Sequence, residues 1–367
     1  MVKRFFVGML LIGSCLCSEP ALNTKGFDVC GMYAGEVEDI DYKIELAKKL
    51  GLNALVINVK NDNGILNIDL DDKQCQGDKN KLMKEVLKKC RENGIYTIAR
   101  VVCFADNVAP VKDPDMAIKE RDETLFVCNN SLWLNPYSFN TLNFITNIVT
   151  ASAKIGFDEV RLDFLRFTEQ VKRLAKTNIS LYEAIENKAD VIERYLNILQ
   201  SKLKRFGTVL SLDVIAGIIP GALIKEGITE LGQNYKSIAR KINYVCPMVY
   251  PSHWHNGALG VSYPDLDPYT IVKRAISCSN NALKKNYRKV SPWIQGFTAN
   301  WLPKGQYRKY GRQEIQDQID ALRDCGIKSF CIWNMSLNYD DVLSNTGGGG
   351  AVKFWRILDS AQFKMYL

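Results

Sequence analysis

Short runs rich in Val, Ile, Leu and Phe alternate with longer amphipathic runs along most of the chain. Eight short runs read as strands: residues 27–33, 53–59, 96–103, 159–164, 209–214, 244–249, 289–294 and 329–333. Most lack a clean two-residue alternation, as expected for strands covered on both faces. The intervening segments 41–50, 79–93, 141–155, 182–203, 235–241, 269–284 and 313–325 carry helical periodicity, and a tail helix is expected over 352–361. Gly51, Gly94, Gly156, Gly207 and Gly326 each follow a helical run, the position where a glycine ends a helix.

Eight βα units in this order predict a single (β/α)8 TIM barrel over residues 26–367. A doubly wound open sheet is the competing fold, but no glycine-rich dinucleotide loop follows the first strand. In a barrel of this kind the chemistry sits at the carboxyl ends of the strands. Those ends carry Lys60 and Asp62 after strand two, and Arg100 and Asp106 in and after strand three. Strands four and five supply Arg161, Asp163 and Asp213. Strand six leads into Tyr250 and His253, strand seven into Trp293 and Gln295, and strand eight into Trp333 and Asn334.

Carboxylates, amides and aromatic rings together suit a carbohydrate. A pyranose offers an apolar C–H face to a ring and a hydroxyl fringe to polar side chains. Cleaving a glycosidic bond then needs two carboxyl groups, one donating a proton to the leaving oxygen and one attacking or activating water. Asp163 and Asp213 lie on neighbouring predicted strands at matching depth and form the candidate pair, with Asp163 as nucleophile and Asp213 as general acid/base, which predicts retention. Lys60, Asp62, Arg100, Arg161, Tyr250, His253, Trp293, Gln295, Trp333 and Asn334 are the expected substrate-binding set. Arg161 and Asp163, two apart, share one strand face. The structural alternative is an ion pair capping the strand. Glu159 shares that face but lies deeper, in a structural position, and Asp62 and Asp106 can also be read as Asx-turn residues. His253 and His255 are the only histidines; two in one loop do not make a metal site, so neither metal nor cofactor is expected.

Composition changes this picture little. Apolar residues make up 47% and charged residues 24% of 367, ordinary for a globular chain. The net charge of +8 is spread over amphipathic helices, as with Lys84, Lys88, Lys89 and Arg91. That pattern reads as a solvated face, and no nucleic-acid-binding signature accompanies it. The charge is a mild bias towards anionic glycans or envelope polymers. The start of the chain matters more. A basic Lys3-Arg4 pair precedes an apolar run over 5–13, which reads as an export signal over residues 1–17. Ile12-Gly13-Ser14-Cys15 has the form of a loose bacterial lipobox, making Cys15 a candidate lipid attachment site and the only expected link to a membrane. The expected location is therefore the cell envelope or the exterior. Nine cysteines follow Cys17 without a CxxC pair, and most fall in predicted strands or helices as buried thiols. Cys75 and Cys128, in loops, are the better candidates for bridging. Gly347–Gly350 is the only candidate phosphate cradle, and a flexible loop is the plainer reading.

The segments 53–60, 98–102, 133–137, 156–167, 246–253, 292–298 and 332–334 together resemble a bacterial glycoside hydrolase family catalogued as domain of unknown function 4015. The resemblance spans residues 26–340 and implies a TIM barrel with glycosidase character. That family's pattern has Asp where Asn58 stands, and often where Asn243 stands. The two asparagines are the main support for a rival reading, a non-catalytic glycan-binding barrel lipoprotein. The Arg161-Leu162-Asp163 spacing also resembles strand four of alpha-amylase-type barrels. This likeness implies that Asp163 is a nucleophile held ionised by Arg161. Asp213 stands where that pattern carries a Glu acid.

Overall fold

The computed structural model describes residues 28–70, 76–183, 185–222 and 229–343. The export signal with Cys15, Cys75, the glycine run and the tail helix lie outside the described residues. Eight parallel strands close into a barrel: β1 Cys30–Gly35, β2 Ala54–Lys60, β3 Tyr96–Val102, β6 Glu159–Asp163, β7 Val209–Ile215, β8 Tyr244–Met248, β9 Trp293–Gln295 and β10 Phe330–Trp333. Their order around the wall is β1-β10-β9-β8-β7-β6-β3-β2, so the closed barrel stands and the open sheet does not. A two-stranded antiparallel hairpin, β4 Val127–Cys128 and β5 Ser131–Leu132, lies between β3 and the helix Phe139–Ile155. Its turn residues Asn129 and Asn130 both have positive φ, the requirement of the tight hairpin turn that asparagine meets at low cost.

Helices Ile40–Lys49, Asp78–Glu92, Phe139–Ile155, Lys188–Lys204, Tyr235–Lys241, Pro268–Leu283 and Arg312–Asp324 surround the barrel. The helix ending at Ile155 stops at Gly156, whose φ of 116 suits a residue without Cβ. The helix expected over 182–203 starts later, at Lys188, because the Asn187 side chain accepts from the Asp190 N–H and caps it.

The strands are buried on both faces, and residues of alternate parity feed two cores. Ile57, Val59, Val101, Val160, Leu162, Leu210 and Leu212 join the helices in the outer core. Tyr33, Val56, Ile98, Cys246, Tyr250, Trp293 and Cys331 fill the smaller inner core. Asn58, Arg100, Glu159, Arg161, Asp163, Ser211 and Asp213 share the inner parity, so the sequence places these polar side chains inside the barrel. The eight cysteines among the described residues are all free, and most are buried. Cys128 is one of these, and its thiol lies 2.9 Å from the Thr168 hydroxyl.

Candidate active site

Glu159 lies deepest on β6. It accepts from Arg161 Nε at 3.1 Å and Nη2 at 2.8 Å, and from the Ser211 hydroxyl. Arg161 Nη1 points at the Cys331 sulfur, 3.1 Å away, and the guanidinium stacks over Trp293. Arg161 is fully buried in this layer, below the mouth of the barrel. Its bonded carboxylate is Glu159, so it is not the cation that holds Asp163. Sequence spacing places Arg161 and Asp163 on one face, yet a guanidinium held by Glu159 is committed to the layer beneath.

Arg100, from the neighbouring β3, holds Asp163 instead. Its Nη2 and Nε donate to Asp163 Oδ2 at 2.6 and 3.0 Å. The same guanidinium makes a forked pair of 3.0 Å bonds to Asp62 and a 3.2 Å bond to Asn58 Oδ1. The Trp333 and Tyr33 rings flank it at 5.3 and 5.9 Å. Asp163 Oδ1 accepts the backbone N–H of Phe164 at 2.8 Å. Phe164 has φ 51, a left-handed conformation that costs a side-chain-bearing residue about 1–3 kcal/mol. Burial alone would push the Asp62 carboxyl up, but the Arg100 charge and bonds bring it below the ordinary carboxylate range.

The last paired residues of β6 and β7 are Leu162 and Leu212, so Asp163 and Asp213 follow side by side. Asp213 has no close bonded cation. Its Oδ1 accepts the Trp293 indole N–H at 2.7 Å and lies 4.0 Å from Arg161. Burial, and then the negative charge of Asp163, push its carboxyl well above the ordinary value. Burial and the charges of Asp213 and Asp163 likewise raise the Tyr250 phenol, which stays protonated beside the pair.

Three other members of the expected binding set are committed to the scaffold. Lys60 has no exposed surface, and its ammonium binds Asp106 at 2.9 Å and the carbonyls of Val102 and Ala105. The β2–β3 register slips between Asn58 and Lys60, a bulge that takes Lys60 out of the inner row. Gln295 accepts twice from Ser252 and donates to Asp265 and the Phe297 carbonyl. Asn334 donates to the carbonyls of Gly296 and Asn338 and accepts from Ser336. Each is buried, with its polar atoms occupied by these intramolecular partners.

The structure does bring Asp62, Arg100, Asp163, Asp213, Trp293, Trp333 and Tyr250 together at the mouth. His253 is exposed and packs edge-on against Tyr250, with ring centres 5.0 Å apart. Asp106 caps the turn after it by accepting from the N–H groups of Val108 and Ala109, the Asx-type role open to it from sequence.

Two features went unread in the sequence. Glu36, one residue past β1, accepts amide protons from Asn58, Asn61 and Asn67. Its strand-end position was the available signal. A cavity of about 270 Å³, lined by Asp62, Trp133, Phe164, Arg166 and Glu169 among others, opens beside Asp62. It lies between the β4–β5 hairpin and the loop after β6. Among the described residues, no three His, Cys, Asp or Glu side chains are grouped to hold a metal ion, and no helix is long and apolar enough to cross a membrane.

Residues 26–339 match the family model described as "Putative glycosyl hydrolase domain". No curated protein matches the sequence. Among solved structures, the glycoside hydrolase domain of PgaB (BpsB) from Bordetella bronchiseptica superposes with a TM-score of 0.59 at 12% identity, covering 87% of this chain and 96% of that one. The catalytic domain of a beta-amylase from Paenibacillus polymyxa gives 0.53 at 11%, covering 85% and 92%. The spore cortex-lytic enzyme SleL of Bacillus megaterium gives 0.51 at 12%, covering 86% and 72%. At these identities the likeness is one of fold.

Proposed function

The chain belongs to the glycosyl hydrolase family whose model spans residues 26–339, and from that premise we propose that it hydrolyses O-glycosidic bonds in a polysaccharide or cell-envelope glycan. Asp213 is the general acid/base and Asp163 the nucleophile. One observation carries the reading: two adjacent carboxyl groups in opposed surroundings. Asp163 accepts two bonds from the Arg100 guanidinium and one from a backbone N–H, the partners of an anion. Asp213 is desolvated and pushed up, the condition of a proton donor.

In the first step the Asp213 proton passes to the glycosidic oxygen as its bond to C1 breaks, and an Asp163 oxygen bonds to C1. In the second, water gives a proton to Asp213 as its oxygen displaces Asp163 from C1. Arg100 fixes the nucleophile and, through Asp62 and Asn58, is itself fixed. The Trp333 ring and the Tyr250 hydroxyl complete the walls.

The asparagines that favour a non-catalytic glycan-binding barrel lose weight in this arrangement. Asn58 accepts from Arg100 while donating to Tyr33 and Glu36, a double role that aspartate could not fill. Asn243 accepts from the Leu210 N–H at the opposite end of the barrel, just before β8 begins. Neither replaces a carboxylate that the mechanism uses. The basic and apolar N-terminal run supports export, with Cys15 as the lipid site.

The test is product detection on α- and β-linked polysaccharides, cell-wall fragments included, with the wild type beside Asp163→Asn. Cleavage by the wild type alone is expected, with the product keeping the anomeric configuration of the substrate. An inverted product would make Asp163 a base for water. Glycan binding without product from either protein would leave the binding-barrel reading.

A further inference from the structure

Trp301 is 61% exposed, an unusual state for the largest apolar side chain. It is not loosely held. Its ring stacks on Phe297, centres 5.6 Å apart and planes 27° from parallel. Phe297 in turn packs edge-on against Tyr250 at 5.9 Å and lies near His253. Phe297 also packs against the inner core that contains Trp293 and Tyr250. The exposed ring is therefore the outer end of an aromatic row that begins inside the mouth.

The loop carrying it is pinned. The Phe297 carbonyl accepts from Gln295, Thr298 Oγ1 accepts from the Tyr310 N–H, and Asn256 donates to Gln306 across the gap to the loop after β8. Gly296 begins the loop because a Cβ there would stand 2.5 Å from Ile332 Cγ2. A fixed ring offers a stacking face at little entropic cost on binding.

Position around the barrel supplies the rest. The wall runs β3-β6-β7-β8-β9. The cavity beside Asp62 sits over β3 and β6, and the Phe297–Trp301 row follows β9. Asp163 ends β6 and Asp213 lies two residues before the end of β7, between the two. A chain lying from the aromatic row to the cavity passes over both carboxylates. Given the proposed cleavage, on which this inference rests, we propose that the Phe297–Trp301 stack is a distal sugar-binding platform and that the protein acts within a glycan chain of several units. The ligand class is a neutral or charged polysaccharide presenting a pyranose C–H face.

Affinity electrophoresis through gels containing soluble xylan, laminarin, glycol chitin, chitosan or carboxymethyl-cellulose tests it, using wild type, Trp301→Ala, Trp301→Phe and Asp163→Asn. At least one polymer is expected to retard the wild type. Loss of the ring should weaken that retardation roughly fivefold to tenfold, the scale of one aromatic contact, with recovery in Trp301→Phe. Asp163→Asn should be retarded like the wild type. No retardation by any polymer, or equal retardation of wild type and Trp301→Ala, overturns the platform. Trp301-dependent retardation without any released product would instead overturn the cleavage reading and leave the platform standing.

Discussion

Trp293 shows how one side chain can set the working range of another. Its indole N–H donates to Asp213 Oδ1 at 2.7 Å, and a hydrogen bond to the charged form lowers a carboxyl group's pKa. Burial and Asp163 pull the other way and win, so Asp213 sits well above its ordinary value despite the bond. Trp293→Phe keeps a ring against Arg161 but deletes the donor. The Asp213 pKa should then rise further, and a general acid with a higher pKa stays protonated to a higher pH. The alkaline limb of the kcat/KM profile should move to higher pH, with the acid limb unmoved. A uniformly depressed profile with both limbs in place would mean that Trp293 serves packing alone. Arg100 gives a second test at this scale. It is buried against two carboxylates, so Arg100→Leu leaves Asp163 and Asp62 without their cation. Breaking such a buried network costs about 3–5 kcal/mol, readable by urea denaturation. A loss below about 1 kcal/mol would show that water replaces the guanidinium freely.

Among the elements, the loops after β2 and β3 lock together at one point. Gly64 has φ 84, and a Cβ built there would stand 2.2 Å from Asp106 Oδ1. Asp106 cannot retreat cheaply, because it binds Lys60 and caps the turn at Val108 and Ala109. Gly64→Ala should therefore cost about 2 kcal/mol or more in chemical denaturation, combining left-handed strain with displacement of a buried ion pair. A cost under about 0.5 kcal/mol would mean the loop shifts without strain. The barrel strands were legible because most are runs of apolar residues bounded by turn signals. The strand expected over 289–294 is the exception, since it forms only at Trp293–Gln295, after a helical turn that ends at Lys289. The β4–β5 hairpin was not legible. Two-residue strands carry no period, and the Asn129-Asn130 turn reads as any polar loop. The site was legible only in part for a related reason. Spacing along one strand tells which face Arg161 and Asp163 share, and it paired them with each other. It does not tell which cation crosses from β3, so Arg100 appeared as a substrate ligand rather than as the hub. The bulge that turns Lys60 towards Asp106 is likewise a feature no spacing rule anticipates.

For the whole molecule, a raised carboxyl pKa is a cost to folding that depends on pH. Asp213 has an ordinary value of 3.8 outside the fold and a higher one inside it. Below the ordinary value both states hold the proton, and the group adds no pH dependence. As pH rises from about 4, the unfolded chain ionises first and folding must keep or recapture a proton. Stability therefore falls with pH until the folded group ionises too, and then levels off. Asp213→Asn has no proton to lose and still presents an oxygen to Trp293, so it escapes this cost. The variant should melt at the same temperature as the wild type near pH 4 and at a higher temperature near neutrality, with the gap widening between. Catalysis would be lost in the same protein, so stability and activity would move in opposite directions at one residue, as expected where a site is built at the expense of the fold. Melting curves for both proteins across this range decide it. A variant that melts lower than the wild type at neutral pH would mean that an ionised Asp213 contributes to the fold through Arg161, 4.0 Å away, and would remove it as the proton donor.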